Sequence, residues 1–270
     1  MSLLLLILAF VRKKNATAVF STLFLLLNAA LVFGVYTYRS ETVDKKATHT
    51  HRALLFNINS NNAQLPEIRA FIQKNEPDVV VLLELTKKAL DVLALKELGY
   101  LYDVQQTRND NFGIGLFSKR PITESKVVVF GDRSVPSVAA TIDFGSSTIT
   151  IIGSHPLPPI GWEYSQARNL QLSHLARFVS DHQSRPIIVM MDMNATPWSH
   201  VFHEFEKESG LRDSRKGFGI HATWPSWMPF FTIPIDHIFV SSELVVVSRT
   251  VGPAIGSDHY PVTIDFITTN

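Results

Sequence analysis

Pro186-Ile187-Ile188-Val189-Met190-Met191-Asp192-Met193-Asn194 opens as an unbroken apolar run and closes on an acid and an amide. A run of that length, rich in branched residues, reads as a buried strand. Successive strand residues alternate faces, so Asp192 and Asn194 point the same way at its end. A carboxylate there can orient or deprotonate a water, and the amide can hold a phosphoryl oxygen. The plainer reading is a helix cap for the segment near Pro197, but Thr196 fills that role better.

The same pattern recurs along the chain. Leu54-Leu55-Phe56 leads into Asn57-Ile58-Asn59, Val79 to Leu83 into Glu84, and Ile149 to Gly153 into Ser154-His155. Asp236-His237 precedes Ile238-Phe239-Val240, and Ser257-Asp258-His259 follows Gly256. Asn57 alone reads as a turn former, but an ionised Glu84 beside a core needs a partner. A carboxylate and an amide oxygen at adjacent strand ends suit Mg²⁺, with Mn²⁺ as a substitute. A histidine held by a carboxylate has its tautomer fixed and its basicity raised. Two Asp-His dipeptides and His155 together point to acid/base chemistry.

Between these islands the pattern alternates. Strands are predicted at 53–59, 78–84 and 186–191, and helices at 64–75, 87–97, 162–182 and 198–208. Strand-like runs at 100–106, 112–118, 126–130, 137–144 and 147–153, with turns between them, predict antiparallel pairing. Three strands close the chain at about 231–240, 244–250 and 260–267. This mixture of βα units and meanders predicts a layered α/β sandwich over residues 53–270.

Hydrophobic residues make up 46% of the 270, and the excess sits at the N-terminus. Residues 16–36 carry no charge and match the roughly 20 residues that cross a bilayer, with Tyr36 and Tyr38 at an interfacial position. The run is longer than a signal-peptide core, and no small-residue cleavage site follows it cleanly. Residues 1–38 are therefore expected to be a membrane anchor, with Met1 to Val11 a short extra membrane segment. Arg12-Lys13-Lys14 keeps its flank cytoplasmic and places the rest outside. Residues 39–52 read as a polar stalk whose His49 and His51 are solvated. A net charge of +1 supplies no global field for nucleic acid, and the absence of Cys excludes disulfides and thiolate chemistry.

Taken in order, Phe56-Asn57-Ile58, Leu83-Glu84, Gly153-Ser154-His155, Met191-Asp192-Met193-Asn194, Ile235-Asp236-His237-Ile238 and Gly256-Ser257-Asp258-His259 resemble the endonuclease/exonuclease/phosphatase (DNase I-like) superfamily. The resemblance spans about residues 53–268. It implies a four-layered αββα sandwich and Mg²⁺-dependent hydrolysis of a phosphoester, with Asn57, Glu84 and Asp258 at the metal. It further implies that Asp192 aligns the water, that Asn194 and His155 contact the phosphate, and that His259 is an acid/base or phosphate group oriented by Asp236. Met191, Met193 and Leu83 depart from the residues common around these motifs. Trp224, in the aromatic stretch Thr223 to Phe231, and Arg168 are candidate substrate contacts. The expected protein is a monomeric, membrane-anchored phosphoesterase. An extracytoplasmic nuclease is the alternative, and an inactive binding module on the same fold is the third reading.

Overall fold

The computed structural model describes residues 7, 15–34, 50–145 and 147–269. Apart from Ile7, the expected extra segment at residues 1–11 lies outside the described residues, as do Tyr36, Tyr38 and nearly all of the stalk.

Twelve strands form two six-stranded sheets among the described residues. The first sheet has the order β11-β12-β1-β2-β4-β3, from β1 (His51–Asn57), β2 (Val79–Leu83), β3 (Tyr102–Gln106), β4 (Ile114–Ser118), β11 (Leu244–Val251) and β12 (Val262–Thr268). The second has the order β5-β6-β7-β8-β10-β9, from β5 (Ile122–Val129), β6 (Pro136–Asp143), β7 (Thr148–Ser154), β8 (Ile187–Asp192), β9 (Arg212–Asp213) and β10 (Asp236–Val240). Each sheet has one parallel pair at its centre, β1 with β2 and β7 with β8. The crossovers between those pairs are α2 (Leu65–Asn75) and α4 (Gly161–Asp181). With α3 (Lys87–Leu93) and α5 (His200–Ser209), they cover the outer faces and make an α/β sandwich of αββα layers.

Side-chain parity decides what each layer holds. Ala53, Leu55, Val81, Leu83, Ile151, Ile188, Met190 and Ile238 meet between the sheets. Their neighbours Leu54 and Phe56 face Ile68 and Ile72 of α2. Ile187, Val189 and Met191 face Leu172, Leu175 and Val179 of α4. Each fully buried aliphatic side chain contributes about 1.5–3 kcal/mol. Strands lying between two apolar layers therefore read as continuous apolar runs, as in the opening stretch.

Several boundaries differ from expectation. The helix expected over 87–97 stops at Leu93. Ala94 turns left-handed at φ 41°, and Leu95–Leu98 continue as a single 3₁₀ turn. The strand expected from 231 starts at Asp236, because Pro229–Phe231 form a 3₁₀ turn and Pro234 has no amide to give a ladder. β5 starts at Ile122, directly after Pro121. His51 and Arg52 belong to β1, where Arg52 pairs with Asp265 of β12 at 2.6 Å.

At the N-terminus, α1 (Asn15–Gly34) is helical along 20 residues. Its Val19, Phe20, Leu23, Leu26 and Leu27 are exposed. Among the residues whose side chains are described, 16–30 in this segment, no helix is long and apolar enough to cross a membrane.

Candidate active site

The same parity that fills the core builds the site. Asn57 follows Leu55, Asp192 follows Met190, and Asp236 precedes Ile238 on the inward-facing rows, so these polar residues replace core side chains at one edge. Register then brings them together. Asn57 lies opposite Leu83, placing Glu84 one step beyond. Ser154 lies opposite Met191, placing His155 beside Asp192. Asp236 lies directly opposite Asp192. The loop ahead of β12 delivers Asp258 and His259. Gly256 permits that loop at φ +71°, since a Cβ there would come within 2.3 Å of the Asn62 Oδ1.

Asn57 is the hub. Its Nδ2 donates to Glu84 Oε1 at 3.2 Å and to Asp192 Oδ2 at 3.2 Å, so one amide ties the two sheets together. On the second sheet's side, His155 Nε2 lies 3.4 Å and His259 Nε2 3.6 Å from Asp192 Oδ2. His259 Nδ1 meets Asp236 Oδ2 at 2.9 Å. All six side chains are buried.

Charge accumulates accordingly. Burial would raise the Asp192 carboxyl, but the His259 and His155 imidazoles outweigh it and bring it to about 2. Burial would lower His259, but the Asp236 and Asp192 carboxylates push it up to about 10. Burial likewise opposes charge on His155, and its hydrogen bond with Asp192 prevails, leaving it raised. Asp192 therefore stays ionised between two imidazoles that favour the cationic form.

The other side of Asn57 consists of oxygens. Glu84 Oε2 accepts from the Ser60 amide at 2.9 Å. Asp258 Oδ1 accepts from Asn59 Nδ2 at 2.8 Å, and Oδ2 from Trp224 Nε1 at 3.1 Å. Among the described residues no lysine or arginine pairs with Glu84 or Asp258. Two carboxylates held only by neutral donors at one cleft fit a hard divalent cation. Ligand atoms of Asp192, Asp236 and His259 also lie within 4.8 Å of one another and are a buried group of metal-binding type. Asp236 and His259 of that group are already hydrogen-bonded to each other at 2.9 Å, so the Glu84/Asp258 side suits Mg²⁺ better.

The remaining candidates sit differently. The amide of Asn194 donates to Asp192 Oδ1, and its Nδ2 donates to the Pro156 carbonyl at 3.0 Å. Arg168 is half-buried and donates to the Asn194 carbonyl at 2.7 Å, so it braces the Asp192–Asn194 turn from behind. Trp224 lines the cleft beside Asp258. His237 faces away from the cleft and donates from Nε2 to the Ala195 carbonyl at 2.7 Å. Sequence reasoning passed over Asn59, although it lies inside the first polar island and its left-handed φ of 59° marks a special position. It also passed over Arg249, buried on β11, which donates to the Asp236 carbonyl at 3.3 Å and to Ser214 Oγ at 2.6 Å. An arginine inside the strand-like run Val245 to Val251 was the available signal. Glu84 and Asn194 share the left-handed backbone, at φ 59° and 51°. Each such non-glycine residue costs roughly 1–2 kcal/mol, and strain of this kind gathers at functional sites.

The cleft over these residues holds about 720 Å³, walled by Phe112, Leu157, Pro158, Tyr164 and Trp224. Its lining includes four acids (Glu84, Asp110, Asp192 and Asp258) and neither Lys nor Arg.

The endonuclease/exonuclease/phosphatase family matches residues 54–259, and the chain belongs to it. Exodeoxyribonuclease III of Haemophilus influenzae is 24% identical over 78% of this chain and 98% of its own length. The fold is shared with an endonuclease/exonuclease/phosphatase from Bacteroides vulgatus (TM-score 0.69, 19% identity, 82% of this chain and 99% of that one). It is also shared with D. rerio TDP2 complexed with a single-strand DNA product (0.69, 18%, 81% and 99%). The 3′ phosphatase NExo from Neisseria, bound to a product DNA hairpin, is similar to the same degree (0.68, 20%, 80% and 99%). The protein is thus a hydrolase acting on phosphoester bonds, in a family whose enzymes depend on divalent metals.

Proposed function

We propose that this chain is a membrane-anchored, Mg²⁺-dependent phosphoesterase whose catalytic domain faces the extracytoplasmic side. The observation that carries the reading is the division of the site by Asn57 into an all-oxygen side and an acid/base side. Glu84 and Asp258 would hold the cation, with Asn57 and Asn59 bracing them. When bound, the cation supplies positive charge to a phosphoryl oxygen. Ionised Asp192 aligns a water for in-line attack on phosphorus and accepts the proton that the water gives up as its oxygen bonds to phosphorus. His259, held cationic by Asp236, neutralises charge on the equatorial oxygens, and His155 does so from the opposite wall. The uncharged helix and the Arg12-Lys13-Lys14 cluster support anchoring and orientation.

Nuclease action is the second reading, favoured by the exodeoxyribonuclease III relative. The absence of Lys and Arg from the cleft lining weighs against it, because nucleic-acid affinity comes chiefly from cationic contacts to phosphates.

Full-length protein, stripped with EDTA and assayed on plasmid DNA, a single-stranded oligonucleotide, phospholipid vesicles and a small aryl phosphodiester, tests both readings. Activity returning with Mg²⁺ or Mn²⁺ is expected, and Glu84→Ala is expected to remain inactive while folded. Full activity in EDTA overturns the metal assignment. Carbonate extraction should leave the protein in the membrane pellet, and protease added to intact cells should remove the domain.

A further inference from the structure

Two loops at the mouth of the cleft expose large apolar side chains. Where the loop from β7 enters α4, Ile160 is 73% and Trp162, in the first turn of α4, is 78% exposed; on the loop ahead of β10, Phe230 is 95% and Phe231 72% exposed, with Trp227 beside them. Ile160 itself lines the cleft, and Trp224 and Ile233 carry the second loop to its edge. No Asp, Glu, Lys or Arg occurs in 156–162 or in 217–235. The arginines nearby are matched by acids, Arg108 with Asp110 and Arg133 with Glu163. Isolated exposed apolar residues need no explanation, but a cluster on two loops around one opening marks an interaction surface.

We propose that this rim docks on the surface of a lipid bilayer, so that the catalytic cleft opens toward phosphoester groups displayed there. The proposal rests on the anchored reading above and deepens it by naming where the substrate is presented. Chemistry selects the occupant. Tryptophan and phenylalanine on uncharged loops match the interfacial zone of a bilayer. A nucleic-acid strand would need cations along its path, and the cleft lining supplies acids instead.

The chain also has the reach. β1 runs about 20 Å from His51 to the cleft at Asn57, so the N-terminal tether joins the end of the sandwich away from the rim. Residues 35–50 can extend to about 50 Å, more than the length of that strand, which lets the domain turn its rim to the membrane that holds α1. Docking through apolar rings rather than charge also carries a signature, namely insensitivity to salt and to anionic lipid.

The test uses the absence of Cys in the chain. Full-length Phe230→Cys and Trp162→Cys report on the rim. Lys207→Cys, exposed near the end of α5 and outside the cleft lining, is the control. Each is labelled with a polarity-sensitive fluorophore, reconstituted with phosphatidylcholine vesicles, floated, and probed with iodide. The expected result is co-flotation with quenching several-fold weaker at positions 230 and 162 than at 207, unchanged at high salt and on adding phosphatidylglycerol. Co-flotation with equal quenching at all three positions overturns the docking but leaves the anchor intact. A protein that stays with the aqueous fraction overturns the anchor and the docking together. Shielding that needs a single-stranded oligonucleotide instead of vesicles assigns the rim to nucleic acid and overturns the proposal.

Discussion

The chain contains the dipeptide Asp-His three times; the copy at Asp181-His182 closes α4, and the other two, which reach strand ends, do opposite things. In Asp236-His237 the pair lies within β10, where alternation sends Asp236 inward to the cleft and His237 outward against Phe202 and Phe239. In Asp258-His259 the pair lies on the loop ahead of β12, where no pleat separates the side chains. Asp258 then joins Trp224 and Asn59, and His259 joins Asp192 and Asp236. The working acid–imidazole pair is Asp236 with His259, one residue from each dipeptide. Adjacent residues in a strand are separated by the sheet itself, so a functional pair is assembled across strands.

The sharpest way to break this comparison is to truncate both histidines. His259→Ala should lower kcat/KM by about 10³-fold, because it removes charge from the reacting centre, and should also lower stability at neutral pH, because it strands the buried Asp236 and Asp192 carboxylates. His237→Ala should leave kcat within a few-fold but cost about 2–4 kcal/mol in urea unfolding, from a cavity and a stranded Ala195 carbonyl. Equal activity losses for the two would mean that the imidazoles do not differ in role. In the Asp192→Asn/His259→Ala double variant, kcat/KM should fall scarcely below the worse single variant, since groups acting on one centre are non-additive. Losses that simply multiply would separate the two residues into different steps.

Acid titration should sharpen the contrast. Burial lowers the His237 imidazole to about 3, so the folded protein resists a proton that the unfolded chain accepts near 6.5. That stability is fully present above about pH 6.5 and drains at up to about 1.4 kcal/mol per pH unit as pH falls toward 3. His259 has the opposite sign. Its imidazole is raised to about 10, so its contribution is complete below about 6.5 and is lost as pH rises through 10. His237→Phe should flatten the acid limb of stability against pH and leave the alkaline limb alone. An unchanged acid limb would show that other groups, such as the buried Asp213 beside Arg215, govern it.

Asp236 touches the reaction only through His259, so Asp236→Asn is expected to cost about 10²-fold in kcat/KM, less than His259→Ala. The smallest effect is expected at Asn59. Asn59→Gly relieves the left-handed backbone, worth roughly 1 kcal/mol, while deleting the brace on Asp258. Stability should hold or rise slightly, and the Mg²⁺ concentration for half-maximal activity should increase. No change in that concentration would remove Asn59 from the cation side.

Much of the molecule was legible along the chain. Apolar runs ending in Asn57, Glu84, His155 and Asp192 located four strand ends, because a buried strand has a continuous signature and a polar residue at its tip is conspicuous. Where periodicity was weak, the reading slipped. Nothing in Ala89 to Leu98 announced the left-handed break at Ala94, and the stretch from Phe231 looked like strand because aromatic and β-branched residues favour strands whether or not a ladder accepts them. Arg249 was invisible as a support of Asp236, since its meaning depends on which strand lies beneath it.

By itself the sequence determined which residues bear chemistry and that they terminate buried strands, since burial period and residue type are local properties. It also determined that residues 16–36 are uncharged. Only the tertiary structure decided which carboxylate meets which imidazole, that one Asn57 amide joins both sheets, and that two aromatic loops come to border one opening. Those are facts of strand register and sheet packing, set by contacts between residues as far apart as Asn57 and His259, and no window along the chain contains them.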